Sequence, residues 1–422
     1  MSRKTSNGVI NSMAIITESF HKLDLDDEGV LRILDNQMFL HLFENVPDPR
    51  QQTKIKYKLS NLLLMIFLSI MERGKVSFVV IADIIWAKQK VYGKYGIIEE
   101  GQCPSHDTIR RILTIIDGNA LYENTLNGFY QFLQCLRNNC RKEGDYKHLA
   151  FDGKEFRGSG RSKDTRNPKG NIAMLNVYDT DTGTVIECIP IDEKESEIPA
   201  AQAVFETMDL SNTVLTADAL HCQKVTAGII TNQKGVYILT VKDNQPLLLQ
   251  EIKARFENPK SKIAKYELDG RVIEILSLPK NYVLADDWSG LKSFARMYSS
   301  RGKNPCIRHF ICNTSDHRLI NDGITLRWSC EVMHKVKDCD LYEDAIRSTD
   351  KKALQKIAIL NNLAVQLIKL YQALSTEEPH RAKIYFQVNT VECLNYMLGI
   401  MSSEEIIDSL VKNIKKQKRT RQ

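Results

Sequence analysis

The order of strands and helices between residues 148 and 241 constrains the fold of this chain more than any other feature. Five short apolar stretches are predicted strands, at residues 148–152, 172–178, 185–191, 213–218 and 236–241, with Gly153 ending the first. Helical stretches at 198–208 and 222–233 separate the third strand from the fourth and the fourth from the fifth. Strands joined directly pair antiparallel, whereas strands joined through a helix run parallel. The pattern therefore predicts a mixed sheet with an antiparallel opening and parallel crossovers.

This order of elements is that of an RNase H-like core, an α/β fold in which helices flank a mixed sheet. Strand-like stretches at 293–298 and 308–312, with a hairpin signal at Asp269-Gly270, either extend the sheet or form an inserted β layer. Helical patterns return at 326–338 and 350–374. We predict a loosely ordered leader (1–35), a helical domain (36–143), an RNase H-like domain (144–375, with a β-rich insertion at about 250–322), and a helical segment with a basic tail (376–422).

A short helix in the N-terminal helical domain is a candidate DNA contact. Isoleucines recur at helical spacing from residue 109, after an N-cap signal at Ser105. Arg110 and Arg111 lie in the first turns of this helix, and a short helix with adjacent arginines can enter a DNA groove. The alternative is a surface helix with solvated arginines. The basic residues between 412 and 421 have the same two readings, as a phosphate contact or as a solvated tail.

Composition narrows the class of protein. A net charge of +6 and a pI near 8.6 permit a nucleic-acid partner without requiring one. The 10 cysteines contain no CxxC pair, which argues against a zinc ribbon or a secreted disulfide scaffold and favours a reducing cytosol. The N-terminal residues 1–10 lack the apolar core of a signal peptide. The most apolar run, 62–71, is about half the length that spans a bilayer, and predicts a buried helix instead.

Three acidic residues are the candidates for chemistry. Asp152 is predicted to end the first strand and Asp218 the fourth, and these two strands are neighbours in this type of sheet. Glu331 lies on the predicted helix 326–338, on a face that can pack towards the two aspartates. Converging carboxylates repel one another unless cations lie between them, and their oxygens suit Mg²⁺ or Mn²⁺. Two such ions, about 3.5–4 Å apart, promote phosphodiester cleavage by water or by a DNA 3′-hydroxyl.

Spacing alone leaves other roles open for the same residues. An aspartate at the end of a strand is common, and Asp218 has the alternative role of capping the helix that follows it. Glu331 has the alternative role of a surface salt bridge. The Asp152-Gly153 junction favours a ligand position slightly, because glycine permits a tight turn beside it.

A series of segments in a fixed order carries a resemblance to a known family. The N-terminal ones are HLFENVPDPRQQTKIKYKLSNLLLMIFLSIM and PSHDTIRRIL. In the next part of the chain, AFDGKEFRGS is similar to the motif IDGKxxRGS, DEKESEIPA to DEKSNEI, LTADALHCQK to DAxxCQK, and YILTVKDNQPLL to YxLxLKxNQ. Later segments with counterparts are WSGLKSFARM and WSCEVMH, the latter followed by YEDA. From about residue 41 to 374, the chain resembles the ISAs1-type insertion-sequence transposases, also called H-repeat-associated proteins.

The resemblance implies an RNase H-like fold and cutting and joining of DNA at the ends of a mobile element. It implies two Mg²⁺ (or Mn²⁺) ions held by Asp152, Asp218 and Glu331. Basic and polar residues at or near the matched motifs are candidate DNA contacts, with structural salt bridging as the alternative: Arg110, Arg111, Lys154, Arg157, Lys224, Lys242, Gln245, Arg327 and Lys335. A homodimer on double-stranded DNA, no membrane partner, and a place in the bacterial cytoplasm with the nucleoid are expected on the same basis.

The segment around Glu331 departs from the family pattern. Val332 follows the glutamate where asparagine is usual, and Arg327 stands where histidine is usual. The spacing from Glu331 to the acidic pair at 343–344 is one residue shorter than typical. A domesticated relative that binds or nicks DNA without transposition therefore remains an alternative, as does a non-mobile nuclease on the same fold.

Overall fold

The computed structural model describes residues 43–72, 77–94, 96–99, 101–127, 145–159, 171–181, 183–191, 197–268, 271–285, 287–299, 306–374 and 379–389. The predicted leader, the basic tail and the Asp269-Gly270 turn lie outside these residues. The helices are α1 (Leu59–Met71), α2 (Phe78–Ala87), α3 (Gln89–Lys94), α4 (His106–Ile115), α5 (Gly118–Tyr122), α6 (Glu197–Thr207), α7 (Lys224–Asn232), α8 (Pro246–Glu257), α9 (His317–Leu326), α10 (Trp328–Cys339), α11 (Lys351–Leu374) and α12 (Pro379–Val388). The strands are β1 (Lys147–Phe156), β2 (Ile172–Asp179), β3 (Thr184–Ile191), β4 (Thr213–Ala217), β5 (Val236–Val241), β6 (Ile263–Leu268), β7 (Arg271–Ser277), β8 (Ser293–Ser299) and β9 (Cys306–Cys312).

The strands form one mixed nine-stranded sheet in the order β3-β2-β1-β4-β5-β9-β8-β7-β6. The first three strands pair antiparallel, and β4 and β5 then add in parallel, each after a helical crossover. The mixed α/β sheet predicted from the order of elements is therefore confirmed. The four later strands extend this same sheet, because β9 pairs antiparallel with β5, and no separate β layer forms among the described residues.

The predicted end of β1 was wrong, whereas the helix predicted at 326–338 is present. Gly153 does not end β1, which continues to Phe156 with Gly153 paired to Leu175 of β2. The predicted helix 326–338 is confirmed as α10, and a further helix, α9, precedes it and ends next to Arg327. The Ser329 hydroxyl donates a hydrogen bond to the Leu326 carbonyl at 2.6 Å, and the amide of Cys330 bonds the carbonyl of Arg327. The backbone ladder is therefore interrupted between α9 and α10.

Helices cover both faces of the sheet. One face packs against α6, α7 and α8, around apolar side chains such as Phe151, Leu215 and Leu239. On the opposite face lie α9, α10 and α11, and residues of alternate register, such as Ala150 and Val214, face them. Asp152 belongs to this second face, since it alternates with Phe151 along β1. The face of the sheet that carries the first aspartate is thus the one that α10 covers.

Helix α11 joins the N-terminal helices to the sheet. It contacts α1, α4 and α5 on one side and β2 and β3 on the other, and its apolar residues share one core with both. The sequence indicated an amphipathic helix here, but nearly every residue from 353 to 369 is buried. Polar side chains that a surface helix would expose, such as Asn361 and Gln366, are buried in this interior.

The N-terminal helical region is organised as its capping signals indicate. The Ser105 hydroxyl accepts a hydrogen bond from the Thr108 amide at the start of α4, and Asp117 caps α5 in the same way. Within the part of the chain that the structure describes, no helix has the length and apolar character needed to cross a bilayer. The seven cysteines in the described ranges are all free thiols.

Candidate active site

Asp152 and Asp218 occupy matching positions on two neighbouring parallel strands. The last pair of the ladder between β1 and β4 is Phe151 with Ala217, so each aspartate is the next residue after that pair. Asp218 follows the end of β4, and its Oδ1 accepts a hydrogen bond from the amide of Leu220 at 2.9 Å. Asp218 therefore does cap the element that follows it, as the alternative role predicted, but this element is a short 3-10 turn and the cap uses only one carboxylate oxygen. The end of the ladder sets the two carboxyl groups beside each other.

The surroundings of the Asp152 carboxyl raise its pKa. Its side chain is 34% exposed, and partial burial is the main cause that raises its pKa to about 7. The carboxylates of Asp218, Glu197 and Glu331 raise the pKa further, while the guanidinium of Arg327 lowers it. Four acids therefore share one region of negative potential, with one arginine among them.

Glu331 lies in the first turn of α10, where arginines engage its carboxylate. Arg327 donates a hydrogen bond to Glu331 Oε1 at 2.8 Å, and Arg308 Nη1 lies 3.9 Å from the same oxygen. Glu331 acts on Asp152 through its charge. Among the described residues, however, the three predicted acids form no group whose ligand atoms all lie within 4.8 Å of one another. The structure brings the two aspartates together and leaves Glu331 in a salt bridge.

A fourth acid, Glu197, was not singled out in the sequence. It is the first residue of α6, and its Oε1 lies 2.6 Å from Nε2 of the fully buried His221. A Cβ atom added at Gly153 would lie 2.1 Å from Glu197 Oε2. The Glu197 carboxylate therefore fills the space that a side chain at position 153 would occupy. This close approach requires glycine at that position. The sequence signals were its place in the DEKESEIPA segment and an acid that opens the helix after the third strand.

Asp152 also belongs to a second group of ligand atoms. Asp152, Cys330 and His334 offer ligand atoms that all lie within 4.8 Å of one another. His334 Nε2 is 3.7 Å from Asp152 Oδ2 and 3.7 Å from Cys330 Sγ. Burial lowers the pKa of His334 to about 3, so its imidazole is neutral, and burial raises the pKa of the Cys330 thiol. The i, i+4 spacing of Cys330 and His334 was visible in the sequence, but only the fold adds Asp152.

Three of the nine predicted DNA contacts have their polar groups engaged inside the protein. Lys154 Nζ lies 2.6 Å from Asp338 and 2.8 Å from Asp344, and its side chain is buried. Gln245 donates a hydrogen bond to a backbone carbonyl at 3.0 Å, and Arg327 bonds Glu331. For these three, the structure favours the alternative of an internal contact over a free group that faces DNA.

The other six predicted contacts lie on the surface. Three make ion pairs that are open to solvent: Arg110 is 3.6 Å from Asp107, Lys224 is 3.2 Å from Asp287, and Arg157 is 3.5 Å from Asp344. The exposed set is Arg110, Arg111, Arg157, Lys224, Lys242 and Lys335. Exposed ion pairs cost little to break, so all six remain predictions as DNA contacts.

Comparison with known proteins gives two family matches. A family model described as "Transposase DDE domain" matches residues 143–367, and one described as "DDE_Tnp_1-associated" matches residues 40–127. The first match covers more than half of the chain and spans both aspartates, Glu197, and the whole of α9 and α10.

Individual relatives with transposase names are also similar to this chain over most of their length. YncI of Escherichia coli O157:H7, which carries a transposase name, is 29% identical over 356 residues, 79% of this chain and 87% of that protein. YbfD of Escherichia coli (strain K12), named as an H repeat-associated transposase, is 30% identical over 271 residues, 64% of this chain and 92% of that protein. A chain from the piggyBac transposase synaptic complex with hairpin DNA covers 92% of this chain and 86% of that chain, with a TM-score of 0.43 and 10% identity, a similarity too low to carry an argument.

Proposed function

The chain belongs to the family described as Transposase DDE domain, and from that premise we propose that it cuts and joins DNA at the ends of a mobile element, with divalent metal ions held on an RNase H-like core. The observation that carries the proposal is the end of the parallel ladder at Phe151 and Ala217, because it sets Asp152 and Asp218 side by side. Carboxyl groups held in this way suit phosphoryl-transfer chemistry, in which negative charge develops on the attacking and leaving oxygens.

The residues around Asp152 fit Mg²⁺ or Mn²⁺. Partial burial and three neighbouring acids raise the pKa of Asp152, and this environment becomes favourable for the ionised form when cations are added. Asp152 and Asp218 would hold the ions through oxygen atoms, the donor type that these hard cations prefer, and Glu331 or Glu197 would join them as the third acid. When bound, two such ions stabilise the attacking and leaving oxygens of a phosphodiester.

The protein supplies orientation and charge at this site. His221 is fully buried and fixes one oxygen of Glu197, which leaves Oε2 against Gly153, the residue that follows Asp152. Arg327 offsets part of the negative charge that the four acids create. Exposed cations on nearby elements, Lys224 at the start of α7 and Lys242 after β5, would attract the phosphates of a DNA strand.

The Arg327–Glu331 ion pair favours a second candidate function. Glu331 would join the metal site only after its carboxylate leaves Arg327, to which it is bonded at 2.8 Å. A protein in which this pair persisted would have two or three metal-site acids and would bind DNA without efficient cleavage. That function is the domesticated DNA-binding protein, and the experiment below separates it from transposition.

We also propose the partners that such an activity needs. The substrate would be double-stranded DNA, both as element ends and as target, with two protomers needed to hold two ends together. Chromosomal DNA as substrate would place this work at the nucleoid, in the bacterial cytoplasm.

The test uses the full-length protein with two labelled duplexes, one that carries the flanking end of the element and one of scrambled sequence, in Mg²⁺ and in EDTA. A transposase nicks the end duplex only with Mg²⁺ and joins the new 3′-hydroxyl to a target plasmid. Cleavage of both duplexes alike would indicate a non-mobile nuclease. Specific binding without nicking in Mg²⁺ or Mn²⁺ would overturn the proposal in favour of the DNA-binding protein.

A further inference from the structure

Two side chains of α10, a thiol and an imidazole, form a group with Asp152 whose ligand atoms differ in kind from those of the four acids. Cys330 and His334 are four residues apart, so they lie on the same face of the helix. Both are buried, and both approach Asp152 on β1. The three residues provide one sulfur, one nitrogen and one oxygen within 4.8 Å of one another.

The distances match those of a tetrahedral metal site. For a zinc ion with bonds of about 2.3 Å to sulfur and about 2.0–2.1 Å to nitrogen and oxygen, the ligand atoms are separated by roughly 3.3–3.6 Å. Here His334 Nε2 is 3.7 Å from both Cys330 Sγ and Asp152 Oδ2. These two distances need to shorten by only a few tenths of an ångström, and the third pair, Cys330 with Asp152, lies within 4.8 Å.

The donor set selects the kind of ion. Thiolate and imidazole donors suit Zn²⁺ and Co²⁺, whereas Mg²⁺ takes oxygen ligands in a near-octahedral arrangement. Three protein ligands leave a fourth tetrahedral position for solvent, which is the arrangement of an open zinc site. An ion can reach the group from the side of Asp152, whose side chain is about one-third exposed.

We propose that Asp152, Cys330 and His334 form a three-ligand site for a thiophilic divalent ion, Zn²⁺ above all, at the edge of the candidate active site. On binding, the Cys330 thiol forms the metal–sulfur bond and releases its proton to solvent, and His334 donates its Nε2 lone pair. The binding claim rests on the three side chains alone.

Binding at this site has a consequence for catalysis, and this part rests on the proposed function. Asp152 would serve either the thiophilic ion or the Mg²⁺ site, because the same carboxylate is a member of both groups. Zn²⁺ would thus compete with Mg²⁺ and suppress strand cleavage. The site would make DNA cleavage sensitive to the free zinc concentration.

The first test measures binding without activity, with Co²⁺ as the probe. The untagged full chain, freed of metal and reduced with a non-chelating reductant, is titrated with Co²⁺ and its absorption spectrum recorded. We expect a thiolate-to-Co²⁺ charge-transfer band in the near ultraviolet with intense visible bands of tetrahedral Co²⁺. Addition of Zn²⁺ should remove both, while addition of Mg²⁺ should not.

Matched variants locate the signal. C330S should abolish the charge-transfer band, and H334Q should weaken Co²⁺ binding by at least about tenfold, since loss of a direct ligand exceeds the effect of an outer partner. C339S is the control, because Cys339 is exposed at the end of the same helix. A band that persists in C330S, or that C339S removes, would overturn the site. Circular dichroism of each variant checks that α10 still folds.

The second test links the site to cleavage. The fold-inhibition of Mg²⁺-dependent nicking by Zn²⁺ is measured for wild type and C330S, each against its own rate without Zn²⁺. The competition predicts inhibition of wild type that weakens at least about tenfold in C330S. Equal inhibition of both would reject the regulatory role. If the protein has no nicking activity at all, the proposed function fails, and the Co²⁺ spectrum still decides the site.

Discussion

The guanidinium of Arg327 lies 2.8 Å from the carboxylate of Glu331, one helical turn further along the chain. Arg327 also lowers the pKa of Asp152, against three neighbouring acids that raise it. A single arginine therefore engages the third predicted acid and tunes the first. The arginine that stands at position 327, where histidine is usual in the family, thus contacts one acid of the site and lowers the pKa of another.

Replacing Arg327 should shift the pH dependence of DNA cleavage. The ionised form of Asp152 is needed to hold a cation, and its pKa without metal is about 7, so protons compete with the cation as the pH falls. Arg327→Ala removes a group that lowers this pKa, so the acidic limb of the activity profile should move to higher pH. Arg327→Lys keeps the charge and should move it less. An unchanged limb in the alanine variant would show that Arg327 does not act on Asp152.

Gly153 and Glu197 should behave as one unit. Gly153→Ala introduces a Cβ atom 2.1 Å from Glu197 Oε2 and must displace that carboxylate. We expect a loss of Mn²⁺ affinity of at least about tenfold, similar to that of Glu197→Ala, measured by calorimetry. The double variant should lose no more than Glu197→Ala alone, because the displaced group is already absent. Additive losses would contradict the contact, and Glu206→Ala, an exposed acid on the same helix, serves as the control.

Lys154 should contribute to stability more than to DNA binding. Its buried ammonium group lies between Asp338 and Asp344, and its removal leaves Asp338 without this cation and Asp344 with only the longer contact to Arg157. Lys154→Met should lower the free energy of unfolding by about 3 kcal/mol, measured by urea denaturation. Arg157→Met removes a side chain that is 77% exposed and should cost less than about 1 kcal/mol. Equal stability of the two variants would restore Lys154 as a candidate DNA contact.

Arg110 and Arg111 on α4 should contribute to DNA affinity through phosphate contacts. Ala at both positions should reduce the slope of log affinity against log salt concentration by about 2, since each phosphate contact contributes about 0.9. The control replaces two other exposed lysines, Lys260 and Lys262, and makes the same change in net charge. If both double variants change the slope alike, α4 has no special role in binding.

The sequence predicted the central sheet well because chain order determines it. Strands joined directly or through helices leave few topologies, and the parallel ladder then places Asp152 beside Asp218. The extent of β1 was wrong for a local reason: glycine usually weakens a strand, but Gly153 stays in the ladder, paired with Leu175, and its missing side chain leaves room for Glu197.

The parts of the site that depend on side-chain orientation could not be predicted. Glu197 lies in a motif that the sequence analysis quoted, yet nothing in its spacing distinguishes it from a helix-opening acid. The i, i+4 spacing of Arg327 and Glu331 was visible in the sequence and permits their salt bridge, but only the structure shows that this pair forms in place of a metal contact. The group formed by Cys330, His334 and Asp152 exists only because α10 packs on the face of β1 that carries the aspartate.

The most direct test of the account compares nicking of a labelled element-end duplex by wild type, Asp152→Asn and Asp218→Asn, in Mg²⁺ and in EDTA. The account predicts Mg²⁺-dependent nicking by wild type and a loss of at least about 1,000-fold in each variant, equivalent to about 4 kcal/mol of transition-state stabilisation. Glu331→Gln, measured alongside, reports whether the third acid leaves Arg327 during the reaction. Nicking that survives in Asp152→Asn or Asp218→Asn would contradict the account, because the two carboxylates at the end of the ladder would then not be the catalytic site.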